Sequence, residues 1–94
     1  MIHPTAIIEP GAELATDVRV GPWTYIGDGV RIGAGTVVES HVVIKGPTEI
    51  GVNNHIYQFS TVGEATPDLK YREEPTRLVI GDGNVIREGV TIHR

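Results

Sequence analysis

Ninety-four residues with 8 Lys or Arg, 12 Asp or Glu, no cysteine and a net charge of -4 describe one small acidic domain. A chain this short buries only about 60–65% of its unfolded surface, and no disulfide or thiolate metal site is available to staple it, so association or additional chain is expected. The acidic balance argues against a nucleic-acid or anionic-membrane surface. No apolar run approaches the roughly 18 residues of a membrane span, and Met1-Ile2-His3-Pro4 does not open a signal peptide, which makes the cytoplasm the expected compartment.

From Ile2 a step of six residues lands on Ile8, Leu14, Val20, Ile26, Ile32, Val38, Ile44, Ile50, Ile56 and Val62, then, after a break, on Ile80, Ile86 and Ile92. Chance placement of Ile, Leu and Val at their abundance here would fill all these positions on the order of once in fifty million chains, so the period is a real repeat. Two residues before each anchor stand mostly small or β-branched residues, among them Val18, Thr24, Val30, Thr36, Val42 and Thr48. At period two these share the anchor's side of a strand. Gly follows the anchor at 21, 27, 33, 51, 63 and 81, where a tight corner demands either a positive φ or a close backbone approach. Short strands joined by such corners make a parallel β-solenoid. A helix is excluded, because a six-residue step rotates it by about 600° and spreads the anchors over every face.

The pattern aliphatic–Gly–any–any–small–any resembles the hexapeptide-repeat family over residues 2–63 and 78–94. That resemblance implies an all-β fold, a left-handed parallel β-helix with three hexads per coil. Its three interior columns would be Ile2, Val20, Val38 and Ile56; Ile8, Ile26, Ile44 and Val62; and Leu14, Ile32 and Ile50. Handedness comes from the resemblance alone.

The stretch from Glu64 to Arg77 breaks the pattern with seven charged residues and two prolines. Its in-register positions would be Asp68 and Glu74, whose carboxylates would cost several kcal/mol each if buried in an aliphatic column. An ejected loop at about 64–79, with some 12 residues leaving a corner and the chain returning in phase, is therefore expected. Loops of this length in compact repeats are more often functional than idle.

Ser40-His41-Val42-Val43, Ile56-Tyr57-Gln58-Phe59, Asp68-Leu69-Lys70-Tyr71, Glu74-Pro75-Thr76-Arg77, Ile86-Arg87-Glu88 and Val90-Thr91-Ile92-His93-Arg94 narrow the resemblance. Together with His3-Pro4-Thr5-Ala6 they resemble the UDP-N-acetylglucosamine 3-O-acyltransferase family. The resemblance implies transfer of a (R)-3-hydroxyacyl group from acyl carrier protein to the 3-hydroxyl of UDP-N-acetylglucosamine, the first acylation of lipid A biosynthesis. It implies a homotrimer, no metal and no other cofactor. A sugar hydroxyl attacking a thioester needs a general base and donors for the oxyanion. The family's base is a histidine on a later coil, so no catalytic residue is assigned within 1–94, which would be a single β-helix domain at the N-terminal end of a longer acyltransferase. Asp68, Lys70 and His93 are the implied substrate-binding residues: Asp68 accepts from sugar hydroxyls, Lys70 supplies positive charge near phosphate or the acyl carbonyl, and His93 supports binding.

The remaining side chains have plainer readings. His3, His41 and His55 lack a carboxylate or histidine at metal-like spacing, and His41 and His55 are 14 rather than 18 residues apart, which argues against a shared zinc site. Tyr57 and Phe59 flank Gln58 on alternate positions of one strand and are expected to share an outward face that packs in a trimer. Arg87 and Glu88 are candidates for pairing across subunits. Two further functions stay open: a trimerising β-helix without catalysis, and a hexapeptide-repeat acyltransferase for another nucleotide sugar. The open last coil, with exposed strand edges and apolar cross-section, favours a fragment of a longer enzyme.

Overall fold

The computed structural model describes residues 1–64 and 77–93, which carry strands and no helix. Most strands are two or three residues long, because each hexad spends its remaining residues turning a corner. One sheet is built from β1 (Ile7–Ile8), β4 (Tyr25–Ile26), β7 (Val43–Ile44), β10 (Thr61–Glu64) and β13 (Thr91–His93). A second holds β2 (Glu13–Leu14), β5 (Val30–Ile32), β8 (Thr48–Ile50) and β11 (Leu78–Ile80). The third holds β3 (Arg19–Val20), β6 (Val37–Val38), β9 (His55–Ile56) and β12 (Val85–Ile86). Every pairing is parallel, and consecutive strands always belong to different sheets. This is the left-handed parallel β-helix, three hexads to the coil.

The expected columns stand as registered pairs. Ile8, Ile26, Ile44 and Val62 lie over one another and continue to Ile92. Leu14, Ile32 and Ile50 continue to Ile80. Val20, Val38 and Ile56 continue to Ile86, with Ile2 bridged to Val20 below them. Most steps are 18 residues. From Ile50 to Ile80 the step is 30, an excess of 12, and the ladder nevertheless returns in phase. The bounds expected for a loop at 64–79 are corrected at both ends, since Glu64 belongs to β10 and Leu78 and Val79 to β11, while residues 65–76 lie outside the described residues.

The interior is lined twice in each hexad. Anchors from Val20 to Val62 are buried, and so are Val18, Thr24, Val30, Thr36, Val42, Thr48, Asn54 and Ser60 two residues ahead of them. The polar members are buried with partners. Thr24 donates to the Glu39 carbonyl at 2.7 Å, Thr36 to that of Gly51 at 3.0 Å and Ser60 to that of Arg87 at 2.8 Å. Asn54 donates to the Gly81 carbonyl and accepts from the Asn84 amide, both at 2.8 Å. No described buried side-chain polar atom lacks a partner, which is why hydroxyls and an amide are tolerated inside so small a core.

The two roles proposed for glycine fall at different places. At Gly33, just after its anchor, a Cβ would stand 2.8 Å from the Gly51 backbone of the next coil, so coils stacked at the roughly 4.8 Å strand spacing leave no room there. Apart from Gly63, directly after Val62, positive φ falls instead three residues after the anchor, at Trp23, Gly29, Gly35, His41, Asn53, Phe59, Gly83 and Gly89. This corrects the expectation for Tyr57 and Phe59. Strand β9 ends at Ile56, and Phe59 turns a corner with φ 63°, so the two rings do not alternate along one strand.

Candidate substrate-binding face

The sheet β1–β4–β7–β10–β13 carries His93, and its geometry is set by one irregularity. Val62 pairs with Ile92, so an unbroken register would pair Gly63 with His93. The structure pairs Glu64 with His93. Two residues of β10 thus oppose one of β13, a β-bulge, and such bulges re-aim side chains at sheet edges and beside sites. Gly63 absorbs the extra residue with φ 85°, and a Cβ there would run into the Lys45 carbonyl and the Thr48 hydroxyl. The bulge puts a carboxylate where the repeat alone would leave a bare backbone.

That carboxylate is held from the coil below. The Lys45 ammonium lies 3.3 Å from one Glu64 carboxylate oxygen and donates to the other at 3.4 Å. Lys45 is fixed at its backbone, its N–H donating to the Val62 carbonyl at 2.9 Å and its own carbonyl accepting from the Thr48 hydroxyl at 2.6 Å. Lys45 and His93 are exposed and Glu64 is half-buried, so the group faces outward from the sheet. Further down the same face, the Tyr25 hydroxyl donates to Glu9 at 2.9 Å. That hydrogen bond, with desolvation and the Glu9 and Asp28 charges behind it, raises the Tyr25 phenol above its ordinary 10.0. A raised acid keeps its proton to higher pH, so any stability from the pair is present below pH 10 and lost as pH climbs through the raised value. In Glu9→Gln, Tyr25 is expected to ionise at a lower pH, read from tyrosinate absorbance; an unmoved titration would break the assignment.

A second outward group lies on the sheet β3–β6–β9–β12. His55 Nε2 is 2.6 Å from a Glu39 carboxylate oxygen, its ring stacks on Tyr57 at 4.2 Å, and the Arg87 guanidinium sits 4.1 Å above the Tyr57 ring. His55 therefore has a carboxylate partner. Glu39 is its diagonal neighbour across the strand pair, sixteen residues back. Arg87 and Glu88 pair within the chain, at 3.0 Å. Among the described residues no group of three His, Cys, Asp or Glu is arranged to hold a metal ion. At the corner between these two sheets, Trp23 and Phe59 are 65% and 66% exposed, and the His41 and Phe59 rings lie 5.4 Å apart.

The sheet β2–β5–β8–β11 carries an exposed ladder of alternating charge. Arg31 pairs with Glu13 at 2.8 Å and with Glu49 at 3.6 Å, and Glu49 also pairs with Arg77. Such exposed pairs add little stability. Of the three sequence-predicted site residues, His93 stands on β13 beside Glu64, while Asp68 and Lys70 lie outside the described residues. The sequence reading did not anticipate the Lys45–Glu64 ion pair.

No protein-family model matches the chain. The acyl-[acyl-carrier-protein]–UDP-N-acetylglucosamine O-acyltransferase of Saccharophagus degradans is 77% identical over 93 residues, covering 99% of this chain and 36% of that enzyme. That of Stutzerimonas stutzeri is 73% identical over 94 residues, covering 100% of this chain and 36% of its own length. The crystal structure of the Moraxella catarrhalis UDP-N-acetylglucosamine O-acyltransferase superposes with a TM-score of 0.95 at 54% identity, covering 99% of this chain and 36% of that one. The chain matches the N-terminal part of UDP-N-acetylglucosamine O-acyltransferases. It spans about a third of the length of the curated relatives it matches. The match takes in the whole chain, with the twelve-residue excess and the coil that carries His93.

Proposed function

We propose that the chain is the N-terminal β-helix of an acyltransferase that moves a (R)-3-hydroxyacyl group from acyl carrier protein to the 3-hydroxyl of UDP-N-acetylglucosamine, in the cytoplasm and as a homotrimer. The observation that carries this reading is the end-to-end 77% identity with the Saccharophagus degradans enzyme. The sugar oxygen attacks the thioester carbon and gives its proton to a general base. The tetrahedral oxyanion then collapses, and the carrier thiolate leaves and takes up a proton. The base lies on a later coil of the complete enzyme. This chain contributes substrate binding: Asp68 accepts from sugar hydroxyls, Lys70 places positive charge near phosphate or the acyl carbonyl, and His93 donates or accepts a hydrogen bond from its exposed place on β13. The small core and the exposed corner rings of Trp23 and Phe59 suit a subunit seam.

The test is a chimaera in which these 94 residues replace the matching N-terminal part of the Saccharophagus degradans enzyme. With UDP-N-acetylglucosamine and hydroxyacyl carrier proteins of several lengths, product read by mass is expected at a rate near the relative's own. The isolated chain, when folded, is expected to give none. Asp68→Ala and Lys70→Ala in the chimaera should each lower kcat/KM by about tenfold or more, the size of one lost charged contact, with unchanged melting. A folded but inactive chimaera would favour the non-catalytic trimerising module, and transfer only to another nucleotide sugar would redirect the substrate.

A further inference from the structure

At one corner of the coil, between β3 and β4 and at the equivalent places above, the chain turns through Trp23, His41 and Phe59 with φ of 61°, 55° and 63°. Each lies three residues past an anchor, and the anchors Val20, Val38 and Ile56 stack in register, so the three form a column of one ring per coil. Backbone hydrogen bonds tie the column together, from the His41 N–H to the Pro22 carbonyl at 3.1 Å and from the Phe59 N–H to the His41 carbonyl at 2.9 Å. The His41 and Phe59 rings lie 5.4 Å apart, so neighbouring levels support each other. The fourth coil has Gly89 at this corner, and at the other two corners positive φ falls on Gly29, Gly35, Gly83 and Asn53.

Glycine takes this conformation freely and a bulky side chain does not. Trp23 and Phe59 are 65% and 66% exposed, so the chain's own core gains little from the rings that carry the strain. Backbone strain of this kind gathers at sites of function rather than in idle corners. Beside the rings, on β4, β7 and β10, runs the uncharged, half-buried column Tyr25, Val43 and Thr61. The face opposite this corner carries the self-paired ladder of Glu13, Arg31, Glu49 and Arg77, which suits water. The rings repeat at the spacing of the coils, about 4.8 Å. A surface that meets all of them needs the same spacing, and a second β-helix of this chain has it.

We propose that the Trp23–His41–Phe59 column is the seam between copies of this chain, packed with parallel axes so that each ring meets its own copies at one level. The proposal rests on the homotrimer reading. Rotation about an axis parallel to the helix keeps every residue at its own height and closes at three copies, whereas antiparallel packing sets Trp23 against Phe59 and closes at two. Gly89 ends the ring column, so within this chain the seam spans three coils.

The chain has no cysteine, so single thiols report the seam directly. In the chimaera, with serine at every cysteine of the appended part, Trp23→Cys and Phe59→Cys are each expected to give covalently joined pairs of chains with a short bis-maleimide. Glu13→Cys, on the opposite face, should give none. When the Trp23→Cys and Phe59→Cys chains are assembled together, same-position links should predominate in the peptide masses; a predominance of Trp23-to-Phe59 links overturns the proposal. The double variant Trp23→Gly with Phe59→Gly relieves the backbone and removes the rings. It should keep the circular dichroism of the parent yet dissociate on dilution at a concentration at least about tenfold higher. Rings that served only their own chain would leave that concentration unchanged, which overturns the proposal, as does a trimeric mass with no link at either position. A monomeric mass for the parent chimaera sinks the homotrimer reading together with the seam, whereas its acyl transfer, measured separately, tests the enzymatic reading alone.

Discussion

Ile44→Asp is expected to abolish cooperative folding of the chain. Ile44 is fully buried and stacked between Ile26 below and Val62 above. The substitution removes an aliphatic side chain from a closed column, which by itself costs about 2–5 kcal/mol. It also leaves a carboxylate with no cation in reach, since the neighbours inside the triangle are aliphatic side chains and hydroxyls already bonded to backbone carbonyls. Burying that charge adds several kcal/mol more. A domain of this size holds roughly 5–15 kcal/mol in total, so the sum exceeds or exhausts it. Two companions make the result specific. Ile44→Val should lower stability by only about 1 kcal/mol. Ile7→Asp, on an outward position of the same sheet that is 57% exposed, should melt close to the parent. A melting curve for Ile44→Asp that matches the parent would take Ile44 out of the interior.

The interior was legible because a solenoid repeats its physics at every coil. One aliphatic per hexad must face the axis, so the column can be traced by counting, and the count survives an insertion that leaves in one place and returns in phase. The insertion announced itself in turn through Asp68 and Glu74, carboxylates at in-register positions that an aliphatic column cannot hold, and through the prolines beside them. The outward surface follows no such rule. Nothing in Val62-Gly63-Glu64 distinguishes a bulge from the ordinary anchor–Gly–any of the other hexads, because a one-residue slip appears only once β13 is laid against β10. Glu39 and His55 meet diagonally across two strands, a contact that depends on side-chain reach rather than on an 18-residue step. Tyr57 and Phe59 were misplaced for a related reason. Alternation holds along a strand, but β9 is only two residues long and the chain has left it before reaching Phe59.

Gly63→Ala is expected to be the most damaging single-methyl change in the chain, and comparison with Gly83→Ala separates its two causes. Both glycines have positive φ, 85° and 69°, where an L-residue costs roughly 1–2 kcal/mol. Around Gly83 there is open space, so that backbone cost is the whole effect. Around Gly63 the new methyl would overlap the Lys45 carbonyl and the Thr48 hydroxyl, which are themselves bonded to each other at 2.6 Å. Neither can retreat without breaking that bond and shifting the backbone of the coil below. A total loss of about 3 kcal/mol or more follows, on the order of 15 °C in Tm for a domain of this length. The damage should also be local: the bulge would collapse toward the regular register, carrying Glu64 away from Lys45. The Lys45–Glu64 pair should therefore be lost in Gly63→Ala at temperatures where the protein is still folded, while Gly83→Ala keeps it. Equal Tm losses for the two variants would mean that the space at Gly63 is not closed.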